Sequence, residues 1–149
     1  MKPIKFAVSL VIYNPKNKNE ILAVLRPTND DSLPNIWGLP STSVKDGELP
    51  EEAAKRVGKE KLATEIELVS RVGIKHSERE HYELILMDVE VKIIGKDPSV
   101  KDAVTTGTKY VDQKWTSDLS IFLPGAKLGG ICSRILLESK GIDWENKFK

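Results

Sequence analysis

Cysteine is all but missing from these 149 residues: Cys132 stands alone, so neither an internal disulfide nor a cysteine-built metal site is available. Cys132 falls in a helical pattern and reads as a small core residue. Histidine is nearly as scarce. His76 and His81 flank a charged turn, Ser77 to Glu80, at a spacing that is not a helical metal pair. Charge of one sign is also lacking, since 23 basic residues face 22 acidic ones for a net +1. That balance removes any field-scale argument for nucleic acid or an anionic membrane, and leaves open a local basic pocket for a phosphate-bearing small ligand. No apolar run approaches the ~18 residues of a membrane span. Phe6 to Tyr13 follows Lys2 and Lys5 as a signal-peptide core would, but a charged turn comes next, with no small-residue cleavage site. It is read as a first strand, and the protein as cytosolic. With 40% hydrophobic and 30% charged residues, the chain has the makeup of one globular domain spanning 1–149.

Ile4 to Tyr13 alternates, with Ile4, Phe6, Val8, Leu10 and Ile12 on one face, and predicts a long strand. A turn over Asn14 to Asn19 leads to a second strand, Glu20 to Arg26, hairpin-paired to the first. Pro50 suits a first helical position and Glu51 and Glu52 suit a first turn, so a helix is predicted from Pro50 to about Leu62. Strands follow at Ile66 to Ile74 and Tyr82 to Ile94. The second carries an unbroken apolar face (Ile85, Met87, Val89, Val91, Ile93) and is placed centrally. Gly95 to Thr108 reads as a loop and Lys109 to Trp115 as a last strand. Leu128 to Ser139 reads as an amphipathic helix with Leu128, Ile131, Cys132, Ile135 and Leu136 inward. The Gly125 to Gly130 stretch contains Lys127 but lacks P-loop spacing, and is read as a connector.

The run Trp37-Gly38-Leu39-Pro40, followed by Gly47-Glu48-Leu49-Pro50-Glu51-Glu52-Ala53-Ala54-Lys55-Arg56, resembles a Nudix (MutT-like) domain, with the family's box over about 42–64. The resemblance implies a Nudix-type α/β/α sandwich around a mixed β-sheet. In that pattern two glycines follow the proline, the arginine leads into Glu-aliphatic-x-Glu-Glu, and a glycine closes the box. Here the glycines are Ser41 and Thr42, the run after Arg56 is Val57-Gly58-Lys59-Glu60-Lys61, and the closing residue is Ala63. Within the defining pattern only Glu48, Arg56 and Glu60 stand where the family would put them.

Nudix hydrolases split a diphosphate linked to a nucleoside or similar group, using magnesium or manganese held by carboxylates. Positions 57, 60 and 61 share a helix face, being related as i, i+3 and i+4; that face carries Val57, Glu60 and Lys61 instead of three glutamates. A unit charge at ~4 Å is worth roughly 4 kcal/mol at an effective dielectric near 20, and about twice that against a divalent ion. Replacing glutamate by lysine reverses the sign, even for a lysine swinging outward. A degenerate catalytic box is therefore expected. By resemblance Glu60 is the one candidate catalytic and metal-binding residue, and Arg26, Glu48 and Arg56 are candidate ligand-binding residues. A backbone carbonyl near Ser41 is a further candidate metal donor, and Glu48, Glu52, Glu80 or Glu83 are candidates to approach it. More plainly, Glu52, Arg56 and Glu60 can form an ion-pair ladder, Trp37 can be a packing aromatic, and Gly58 reflects either relaxed selection on catalysis or close packing.

Three functions stay open. One is a Nudix-fold protein without catalysis, or weakly active, that binds a nucleotide-type ligand or a macromolecular partner. Another is a hydrolase with a rearranged magnesium or manganese site. The third is a protein-interaction subunit of a larger assembly, with a homodimer also compatible.

Overall fold

The structure, a computed structural model, describes residues 2–30, 33–105 and 107–145. Among these, the chain runs β1 (Ile4–Asn14), β2 (Asn17–Leu25), β3 (Trp37–Gly38), β4 (Ser41–Ser43), α1 (Pro50–Leu62), β5 (Ile66–Glu78), β6 (Glu83–Ile93), β7 (Asp112–Thr116), α2 (Leu123–Lys127) and α3 (Ile131–Ser139). Single 3-10 turns at Val100–Asp102 and Leu119–Phe122 fill the late connections.

β1 is the strand that both halves share. It pairs in parallel with β6 from Ile4↔Glu83 to Ile12↔Val91, and antiparallel with β4 and β2. β5 extends the first group beside β6, while β3 and β7 extend the second beside β2, so the sheet is mixed. From Val8 to Ile12 both faces of β1 are buried, which explains the nearly continuous apolar sequence there, whereas Ile4 and Phe6 stay exposed. Val8, Leu10 and Ile12 pack with Ala53, Ala54, Val57 and Leu62 of α1 and with Val89 and Val91 of β6. Val11 turns the other way, into a second core built on Phe122, Ile131, Ile135 and Leu136. Helices on opposite faces of one sheet make an α/β/α sandwich, as expected from the sequence.

Asp88 sits in the middle of β6, fully buried, and both carboxylate oxygens lack a hydrogen-bond partner among the described residues. Burial pushes its pKa well above the usual carboxylate range. Cys132 is buried opposite, and the same desolvation raises its thiol, which makes it a poor nucleophile.

Helix α1 spans its expected residues, with Pro50 in the first turn and Glu52 Oε1 accepting the Leu49 N–H at 2.9 Å. β6 is flanked by β1 and β5 as its apolar face required. Four boundaries differ by more than one residue. The first turn closes on two residues, Pro15 and Lys16, because β2 already starts at Asn17. β5 runs past Ile74 to Glu78, into the charged stretch Ser77 to Glu80 that the sequence reads as a turn. The last strand starts at Asp112, since Tyr110 is drawn into the core by a bond to Ser41. Leu128 is 64% exposed: it follows α2 as its C-cap, and Gly129, with φ +102, breaks the chain before α3 begins.

Candidate functional site

Of the expected site residues, Glu48, Arg56 and Glu60 gather around the loop between β4 and α1, and Arg26 lies apart. Arg56, on the second turn of α1, reaches back across that loop. Its Nε donates to Glu48 Oε2 at 3.0 Å and its Nη2 to Glu48 Oε1 at 2.9 Å, a two-bond fork. Nη2 also donates to the Ser43 carbonyl at 2.8 Å and Nη1 to Thr42 Oγ1 at 3.3 Å. The Arg56 guanidinium beside Glu48 holds that carboxyl down at about 2. Glu48 also accepts the Lys45 N–H at 3.0 Å. These two residues therefore pin the loop onto the helix. Glu60 lies one turn beyond, 3.8 Å from Arg56 and about two-fifths exposed. One rung of the expected ladder is present; Glu52 caps the helix instead.

Arg26 leaves the end of β2 and meets Asp30, both carboxylate oxygens lying 3.3 Å from Nη1. Asp30 is nearly buried, accepts the Leu33 N–H at 2.9 Å and takes a longer contact from Thr108 Oγ1 at 3.4 Å. Asp30 and Thr108 line a cleft of about 840 Å³ with Pro27, Gly107, Lys109 and Tyr110.

Sequence reasoning allowed Lys61 to swing outward; the structure turns it inward. Its side chain is buried at 7% exposure and its Nζ donates to the Ser41 carbonyl at 2.7 Å. Tyr110 closes this corner, accepting the Ser41 N–H at 2.9 Å, with its ring centroid 5.4 Å from the ammonium. Burial is the main cause that brings the Lys61 pKa down to about 8, helped by the positive fields of Arg26 and Arg56 and opposed by Glu60 and Asp30. Nothing in the helical pattern marks this orientation. The hint lay in Val57 and Leu62, apolar residues beside Lys61 on a helix whose solvent face is crowded with Lys and Glu.

The remaining candidates fall elsewhere. Glu83 faces His76 and Glu80 faces His81, each at 3.6 Å, around the β5–β6 hairpin. Trp37 packs into the α3-side core with Lys114 4.9 Å above its ring. Gly58 is explained by packing, since a Cβ there would meet Ile66 Cγ1 at 3.0 Å and the Thr64 carbonyl at 3.2 Å.

A Nudix-type divalent ion does not fit the residues present. The Ser41 carbonyl already accepts an ammonium, Val57 is core, and among the described residues no three His, Cys, Asp or Glu side chains converge as a cation site.

The NUDIX domain model matches residues 3–113, so the chain belongs to the Nudix family. No curated protein matches it by sequence. Its fold is that of the E. coli ORF135 protein, with a TM-score of 0.72 and 16% identity over 93% of this chain and 92% of that one. A MutT protein from Methanosarcina mazei Go1 superposes with a TM-score of 0.68 and 21% identity, over 98% of this chain and 97% of the other. A NUDIX hydrolase from Nitrosomonas europaea gives 0.71 and 17%, over 94% and 89%.

Proposed function

We propose that this Nudix-family chain binds a nucleotide or nucleoside-diphosphate-type ligand without splitting it by the family's metal route. One observation carries the reading: the Lys61 ammonium is bonded to the Ser41 carbonyl, where the resemblance would have a metal. Glu60, the one carboxylate among positions 57, 60 and 61, faces Arg56 and lines a separate groove with Glu52 and Lys59. Arg26, one residue past β2, reaches the larger cleft only through Asp30, which lines it and takes its charge, whereas Glu48 and Arg56 serve by holding the loop. The test is hydrolysis of a panel of nucleoside diphosphate derivatives with magnesium or manganese, beside Glu60→Gln. No turnover above that control is expected.

A second reading, a hydrolase with a rearranged magnesium or manganese site, draws on the partial exposure of Glu60 and its long contact to Arg56, which leave its oxygens accessible. Turnover abolished by Glu60→Gln would establish it in place of the first. A macromolecular partner or a homodimer calls for a different measurement, the mass of the native particle by light scattering.

A further inference from the structure

Lys61 has more donor capacity than the fold uses. An ammonium carries three N–H groups, and among the described residues Lys61 makes one hydrogen bond, to the neutral Ser41 carbonyl. The two carboxylates whose fields reach it face other cations: Asp30 meets Arg26 at 3.3 Å, and Glu60 lies 3.8 Å from Arg56. No ion pair of the described residues includes Lys61. Burying a charge in this way is costly, and a position that needed only packing would be better filled by leucine or methionine. Two guanidiniums add to the positive field at Nζ instead of relieving it. The missing counter-charge has a place to come from. A Cβ on Gly107 would lie 3.9 Å from Lys61 Nζ, and Gly107 and Tyr110 both line the large cleft.

Resting on the non-hydrolytic reading above, we propose that the Lys61 ammonium is the built-in counter-ion for the ligand's diphosphate. It donates directly to a phosphate oxygen entering from the cleft, so binding needs no divalent metal and magnesium weakens it. Magnesium neutralises the diphosphate in solution, and the fixed ammonium repels the complexed ion, so two effects of the same sign lower affinity. The dependence is the reverse of a metal-bridged site.

The experiment is isothermal titration of the full chain with ADP and, separately, with inorganic pyrophosphate, in EDTA and in excess magnesium. At least one probe is expected to bind in EDTA and to bind several-fold more weakly in magnesium. Lys61→Met should lower the metal-free affinity about ten- to a hundredfold, the loss of one charge-assisted hydrogen bond, with circular dichroism unchanged. Binding that requires magnesium, equal affinity in Lys61→Met, or no binding of either probe would overturn the proposal. Should Lys61→Met not fold, the metal dependence of the parent chain decides alone. Metal-dependent binding without turnover removes the Lys61 role and spares the non-hydrolytic reading. Turnover that Glu60→Gln abolishes removes that reading, whatever Lys61 does.

Discussion

The first two turns of α1 and the last two are built to different ends. From Pro50 to Arg56 the helix keeps a proline start, a glutamate cap and an arginine forked onto Glu48, and each fixes the loop in front of it. From Val57 to Ala63 the same helix turns a valine into the core, lays Gly58 against Ile66, buries Lys61 and ends on a left-handed alanine. Residues that hold the backbone match the family pattern in the first half, while in the second, of the three positions that the resemblance would turn toward a metal, Val57 is core, Lys61 is an internal cation and only Glu60 is a carboxylate. Placement of a loop and chemistry on a helix are thus separable, even over thirteen residues.

Restoring a carboxylate in the second half is the harshest way to break that contrast. Val57→Glu puts a charge where the side chain is 1% exposed, and should cost about 3 kcal/mol or more, Lys61 one turn on offsetting only part of the desolvation. Urea unfolding measures it; a loss under about 1 kcal/mol would mean that this face is wet and open to a metal after all.

Lys61 should show the opposite sign. Its folded pKa, about 8, lies below the ordinary 10.5, so between those values the unfolded chain binds more protons and stability rises with pH. Below pH 8 the penalty is present in full. Lys61→Met should therefore stabilise the protein at neutral pH by about 1–2 kcal/mol, after the lost bond to Ser41 is counted, and flatten the alkaline limb. A destabilised variant would show that the ammonium serves the fold.

In the first half, Glu48 is held near 2 by Arg56, against an ordinary 4.5. Its contribution is present above pH 4.5 and disappears as pH falls toward 2. Glu48→Gln should lose about 1–1.5 kcal/mol at neutral pH, discounted for solvent, and remove that part of the acid transition seen by circular dichroism. The gentlest probe is Ala63→Gly. With φ at 51° the alanine pays for a left-handed C-cap, and glycine should raise stability by about 0.5–1 kcal/mol in thermal melts.

Much of this architecture is local and so was legible in the chain. Pro50 and the glutamates after it set the start of α1, and the apolar faces of β1 and β6 set their places in the sheet. The loop-pinning fork was visible only as two family positions, Glu48 and Arg56. What could not be read was any arrangement decided at long range. Four methylenes let a lysine at position 61 point either way, and the choice rests on Ser41 and Tyr110, residues far from it in sequence. Tyr110 looked like the body of a strand for the same reason, since only the folded chain shows it bonded to Ser41. Leu128 fitted a helical stripe, but Gly129 and Gly130 reset the phase before α3.

The parallel pairing of β1 with β6 also has a kinetic side. Ile4 finds Glu83 only after some eighty residues of chain have been made, and that closure must be met before either core is complete. Until then the most apolar strand of the molecule lies without its principal partner. On a ribosome emitting about 5–20 residues per second, β1 waits several seconds for β6, and through that interval the nascent chain is at its most vulnerable to aggregation.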